Sequence, residues 1–241
     1  MNRCTVYIAL IGWLAILGLA NGPAHAMAGT AELDHRQMPK SSEEYTELFG
    51  LDLYRRGLYP EAMAVWSRAF EDSQHAGAAY NLGITYLDAL VTEKNPDHTA
   101  LAIRYLRSSA LRGDARAQFE LGAIYDQGEA TPRDITQALL WYFLASVSND
   151  PGAEFNLASL FESGEGVEAD PVMAYAYYSL AISHDYKEFG EPALQKLSSK
   201  MTERQKERGK LMAKQIQASR AILLEPNEQK TQQSPIVGSN R

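Results

Sequence analysis

The 241-residue sequence predicts an all-α protein: a solenoid of about four helix-turn-helix repeats closed by a C-terminal pair of capping helices. Three observations carry this. The segment Ala79-Tyr80-Asn81-Leu82-Gly83-Ile84-Thr85-Tyr86 recurs from Ala117 to Tyr125 and again from Ala153 to Phe161, at a period of about 36 residues. A second shared block follows each copy: Ala102-Ile103-Arg104-Tyr105-Leu106, then Ala138-Leu139-Leu140-Trp141-Tyr142, then Ala174-Tyr175-Ala176-Tyr177-Tyr178. Both blocks have helical spacing. Ala117, Leu121 and Tyr125, like Ala153, Leu157 and Phe161, lie four residues apart on one face, and the second block closes on a small residue at Ala69, Ser109, Ala145 and Ala181. A helix pair of this kind cannot bury both its faces alone, so stability has to come from stacking.

The elements follow in order. Met1-Asn2-Arg3, the uncharged run from Val6 to Ala20 and the Ala24-His25-Ala26 site make residues 1–26 a cleavable signal peptide, too short in its apolar part to span a bilayer. Residues 27–41 are polar, without periodicity, and read as a flexible linker. Ser41 or Ser42 then caps a first helix whose Glu43, Glu44 and Glu47 favour the positive end of its dipole. Helix pairs are expected at about 42–72, 76–112, 115–148 and 151–184, so that the solenoid spans 42–186. Gly57 to Pro60, Asn95-Pro96, Gly113-Asp114, Thr131-Pro132, Pro151-Gly152 and Asp170-Pro171 break it. In the capping segment, 187–224, Pro192 should begin a short helix. Thr202 and Gln205 form a capping box opening a longer one, with Gly209, Met212, Ala213 and Ile216 as its apolar stripe. The Gln-, Asn-, Ser- and Pro-containing stretch 225–241 reads as a disordered tail.

These repeats resemble the Sel-one-like repeat, a relative of the tetratricopeptide repeat. The loop Gly164-Glu165-Gly166-Val167-Glu168-Ala169-Asp170, with Ala174 beyond it, reproduces the family's G-x-G-V-x-x-D-x-x-x-A pattern. The third repeat keeps Gly128, Asp134 and Ala138 but has Ala130 and Thr131 where the family prefers Gly and Val. An upstream unit with Phe49-Gly50, Ala62, Trp66 and Ala69 has the spacing of a plain tetratricopeptide unit. The resemblance implies a right-handed solenoid and a protein-binding role. It also implies that the first helices line a concave groove.

Charge and cysteine narrow the class. From Glu43 to Tyr186 there are 22 acidic and 9 basic residues, a balance of −13, and from Lys187 to Arg220 there are 4 acidic and 9 basic, a balance of +5. An acidic body argues against nucleic acid as a partner. The single cysteine, Cys4, lies in the signal, so the mature chain has neither a lipid-anchoring cysteine nor a disulfide. No membrane insertion of the mature chain is expected. It has no H-E-x-x-H, G-x-S-x-G, S-x-x-K or phosphate-loop motif, and His35, His75, His98 and His184 lack metal-site spacing. No catalytic residue, cofactor or metal is expected.

Alignment of the first helices on Phe49, Leu82, Leu121 and Leu157 supplies the candidate site. Two residues earlier stand Glu47, Tyr80, Phe119 and Phe155; two later, Leu51, Ile84, Ala123 and Ser159; five or six later, Tyr54, Asp88, Asp126 and Glu162. In the architecture that the resemblance implies, these registers form a groove with an aromatic row and an acidic edge. Packing between repeats explains a regular aromatic row as readily as binding does. The expected function is that of a periplasmic or secreted, non-catalytic scaffold or regulator binding a protein partner in this groove. The alternatives are a cell-wall or beta-lactam-acting hydrolase or binder, and a structural accessory of an envelope secretion, export or motility complex.

Overall fold

The computed structural model describes residues 43–88 and 96–224, and all their regular structure is helical. The expected signal peptide, linker and tail lie outside these residues. So does most of the loop after Asp88. The array belongs to the compact unit Thr46–Arg241; of the separate unit before it only residues 43–45 are described.

Among the described residues there are ten helices: α1 (Glu43–Arg55), α2 (Tyr59–Ser73), α3 (Ala76–Leu87), α4 (Pro96–Ala110), α5 (Ala115–Gln127), α6 (Ile135–Val147), α7 (Pro151–Ser163), α8 (Pro171–Ser183), α9 (Lys187–Ser198) and α10 (Glu203–Leu224). From α2 to α8 each packs on the next, and α9 and α10 both pack on α8. The result is an α-solenoid.

Local chemistry places the helix ends. Asp114, Asp134, Asp150 and Asp170 cap α5 to α8, each carboxylate accepting from backbone N–H groups of the first turn that have no partner within the helix. Gly128 and Gly164 end α5 and α7 in left-handed conformation, at φ 70° and 74°, which only glycine adopts without strain. The chain then returns identically in both repeats, with Asp134 N donating to Tyr125 O and Asp170 N to Phe161 O, each at 2.9 Å.

Small residues set the depth of packing. A Cβ on Gly83 would stand 2.6 Å from Leu106, and one on Gly122 would stand 2.5 Å from Tyr142. Gly50 makes the same approach to Trp66, so in three repeats a second-helix side chain rests on a first-helix glycine. Ala138, Ala145 and Ala174 are fully buried, as their positions in the repeat predict.

The capping box is present: Gln205 accepts from Thr202 N at 2.9 Å and donates its own N–H to Thr202 Oγ1 at 3.3 Å. Pro192 departs from expectation. It does not open α9 but lies inside it, five residues after Lys187. The seating of Gly190 against Ile182 of α8 makes the start earlier: docking fixes the first turn, and the exposed Pro192 removes one hydrogen bond in the second turn without ending the helix.

Candidate protein-binding face

The first helices meet on one side of the array, through contacts that repeat from unit to unit. Glu47 of α1 lies over Gly77 of α3, where a Cβ would collide with its carboxylate. Tyr80 of α3 lies under Arg116 of α5, with the guanidinium carbon 4.4 Å from the ring centre. Phe119 of α5 lies over Gly152 of α7, where a Cβ would be 2.8 Å from the ring. Three of the four members of the row two residues before the aligned position therefore rest on the start of the next first helix. Glu47 also reaches Arg116, two repeats on, at 3.2 Å. Glu47, Tyr80 and Arg116 therefore share one face of the first helices, the inner face in the architecture that the resemblance implies.

The aromatic row is packed rather than free. Phe119 lies 5.9 Å from the Tyr142 ring, and Phe155 lies 5.3 Å from Tyr178 and 5.5 Å from Tyr186. Tyr80, Phe119 and Phe155 are all half-buried, so each contributes to the stack and keeps an accessible edge. In the next row Leu51 and Ile84 are half-buried, Ala123 is buried and Ser159 is exposed.

The acidic edge is also engaged internally. Tyr54 donates its hydroxyl to Asp88 Oδ2 at 2.7 Å, and burial followed by this carboxylate pushes the phenol pKa up. Arg133 binds Asp126 at 3.1 Å while its other terminal nitrogen binds Glu165 of the next repeat. Tyr178 donates to Glu162 at 3.0 Å. The predicted residues thus form four successive stations along the face rather than one pocket.

Two features escape the alignment. The first is an acidic group around Tyr80. Arg116 binds Asp114 at 2.7 Å as well as Glu47; Glu120, one turn further along α5, and Asp150, capping α7, complete the group. Burial would raise Asp114, but the Arg116 side chain and the Ala117 and Arg116 N–H groups hold it below the usual carboxylate range. Burial first, then the charge of Asp150, pushes Glu120 up to about 7. Asp150 is itself raised, mainly by burial. Glu120 shares its register with Asn81 and Asn156, one residue before each aligned leucine. A polar residue recurring there on otherwise apolar helices was the available signal.

The second is a buried charge cluster. Glu154 of α7 is fully buried and ion-paired to Arg220 of α10, itself 4% exposed, while His184 Nδ1 lies 2.8 Å from the other carboxylate oxygen. The pairing joins residues 66 apart, and no local pattern announces it. Among the described residues no three His, Cys, Asp or Glu side chains are grouped to hold a metal ion.

Residues 76–114, 115–146 and 151–186 each match the family model of the Sel1 repeat. Among solved structures the chain is similar to c5321, a protective antigen present in uropathogenic Escherichia coli strains and displaying an SLR fold. Identity is 25% and the TM-score 0.65, covering 82% of this chain and 42% of that one. It is also similar to a Sel1 repeat protein from Oxalobacter formigenes, with 26% identity and a TM-score of 0.54, covering 61% of this chain and 59% of the other. The chain thus spans less than two thirds of either neighbour's length. No curated protein matches it. Residues 76–186 thus carry three Sel1 repeats in tandem, within an all-helical stack whose fold the two neighbours share.

Proposed function

We propose that this chain is an exported, non-catalytic scaffold that binds a protein partner along its inner face. Sel1 repeats commonly mediate protein interactions, which sets the class of activity. The observation that carries the reading to this face is the ladder Tyr80, Phe119 and Phe155, locked between successive repeats and partly accessible at each. Aromatic side chains held rigid by their neighbours lose little freedom on binding, the property that makes such residues anchors. Export is supported by the three-part signal of residues 1–26. Among the described residues no helix is long and apolar enough to cross a membrane.

Photo-crosslinking in cells from Ser159, which is exposed on the face, tests the binding site. Capture of a protein from Ser159 is the expected result; equal capture of the same protein from an exposed position on a second helix, such as Phe143, would move the site. Terminal sequencing of the exported form should begin at Met27 or Gly29. An intact Met1 in membrane fractions would overturn export with cleavage.

A further inference from the structure

We propose that the outer side of the array, formed by α6 and α10, pairs with a second copy of the chain. The outward face of α10 in each copy seats on α6 of the other, giving a twofold-symmetric dimer. This surface lies apart from the inner face and does not depend on what binds there.

α6 has the composition of a covered helix. Of the second helices, α2 and α4 carry charged side chains, whereas α6 and α8 carry none. In α8 the reason is visible. Val172, Ala176 and Leu180 lie opposite the core side marked by Ala174, Tyr178 and Ala181, yet they are buried, because α10 packs along α8. One repeat earlier the equivalent positions on α6 are Thr136, Leu140 and Leu144, and there Leu140 and the neighbouring Phe143 are 49% and 51% exposed. α4 has Arg104 and Arg107 at those two places. A helix apolar all round is ordinarily buried all round, and on this side α6 stays open among the described residues.

α10 supplies the matching face. Gly209 and Arg220, with Ala213 and Ile216 between them, turn toward the body, and of its 22 residues only Gly209 and Arg220 are buried. On the opposite side Leu211, Gln215, Ala218 and Ile222 follow at helical spacing, an uncharged stripe exposed along its length. Leu223 and Leu224 extend the apolar surface on the last turn. That turn lies beside the end of α6, since Arg220 reaches Asn149, which follows α6 closely.

Area, symmetry and charge select a second copy as the occupant. Leu140, Phe143, Leu211, Ile222, Leu223 and Leu224 are each between 49% and 74% exposed. At roughly 200 Å² for a fully exposed large side chain they bare about 700 Å² per copy, close to the roughly 800 Å² that each partner gives a stable interface. α10 stands on α8 as a ridge beside the lower shelf of α6, so a twofold axis running along the helices between them sets ridge on shelf twice. α10 runs in the direction of α8: Gly209 lies against Tyr175 near the start of α8, and Arg220 binds Glu154, which His184 meets just past its end. The same axis therefore lays the exposed Arg204, Arg208 and Lys210 over the loops that precede α6 and α8 in the other copy, where Glu129, Glu165 and Glu168 are exposed. One chain carries both halves of the match.

Sedimentation of the purified chain should show an equilibrium between monomer and dimer below about 100 µM. Phe143→Glu and Leu211→Glu, both at exposed sites, should each weaken the dimer by about tenfold or more while leaving the melting temperature unchanged. The arrangement is read by crosslinking: chain labelled with heavy nitrogen and carrying benzoylphenylalanine in place of Phe143 is mixed with unlabelled chain and irradiated. Heavy position 143 should join light residues of α10. A chain still monomeric at about 100 µM, or a dimer indifferent to both substitutions, would overturn the proposal. Links from position 143 confined to residues 225–241 of the same copy would assign the face to the chain's own C-terminal segment and overturn it too. In cells, capture of another protein by the same probe in place of a second copy would do the same.

Discussion

Glu154 and Glu120 stand on successive first helices of the same array, the first fully buried and the second half-buried, and the chain treats them in opposite ways. Glu154 receives a guanidinium from the last helix and a histidine from the end of α8, so both its oxygens are engaged. Glu120 receives nothing from the described residues and is held at about 7 by burial and by Asp150. The repeat does not account for the difference, because α5 has a glutamine, Gln118, where α7 has Glu154. What differs is position in the stack. The fourth repeat is followed by capping helices that bring a cation, whereas the third is followed by another repeat that brings a second acid. The buried carboxylate near the end of this solenoid is a latch, and the half-buried one in its middle has no cation of its own among the described residues.

The largest expected effect comes from breaking the latch. Arg220→Met leaves Glu154 buried without its cation and should cost about 3–5 kcal/mol. Urea unfolding of the variant, compared with the double variant Arg220→Met with Glu154→Gln, checks the cause. The double variant should recover much of the loss; no recovery would mean that Arg220 acts through packing of its stem instead.

Glu120→Gln should have the opposite sign. Glu120 titrates higher in the folded chain than its ordinary 4.5, so its contribution to stability is intact below that pH and is lost as the pH rises through about 7. At pH 8 the glutamine variant should be more stable than the native chain by about 1–3 kcal/mol, and at pH 4 indistinguishable from it. Unfolding free energies at pH 4, 6 and 8 decide the matter. A constant difference across that range would show that Glu120 titrates normally.

Ala138→Leu tests the packing on which both acids depend. Ala138 is fully buried in the same core cluster as Tyr142 and Leu157, and overpacking there should cost about 1–3 kcal/mol. A melting temperature within a degree of the native value would show that the helices separate at little cost, and the burial assigned to Glu154 and Glu120 would then need revision.

The smallest effect belongs to the exposed edge. Asp126 and Arg133 form an ion pair whose arginine is 46% exposed. Asp126→Asn should change stability by no more than about 0.5 kcal/mol, with the difference shrinking further in 1 M salt. A larger loss would place the Arg133 bridge from Asp126 to Glu165 among the main contacts between repeats.

The order of the helices, the alanines at their crossings, the capping box at Thr202 and the aligned rows on the first helices were legible because they are local. Periodicity, caps and turns involve residues within one or two turns of each other, and three copies reinforce every assignment. Pro192 was misread because docking of Gly190 on α8 outweighed a local breaker. The aromatic row was located but its environment was not, since Tyr80, Phe119 and Phe155 each meet a neighbour roughly a repeat further on. Glu120 was legible only as a polar register shared with Asn81 and Asn156, and the Arg220 pairing was hidden by a separation of 66 residues from Glu154. Which helix follows which is determined by the sequence itself, through hydrogen bonds and apolar spacing that act along the chain. Which carboxylate finds a cation was decided only by the tertiary structure, because charge pairing depends on distance in space and on how much water the fold leaves between the partners.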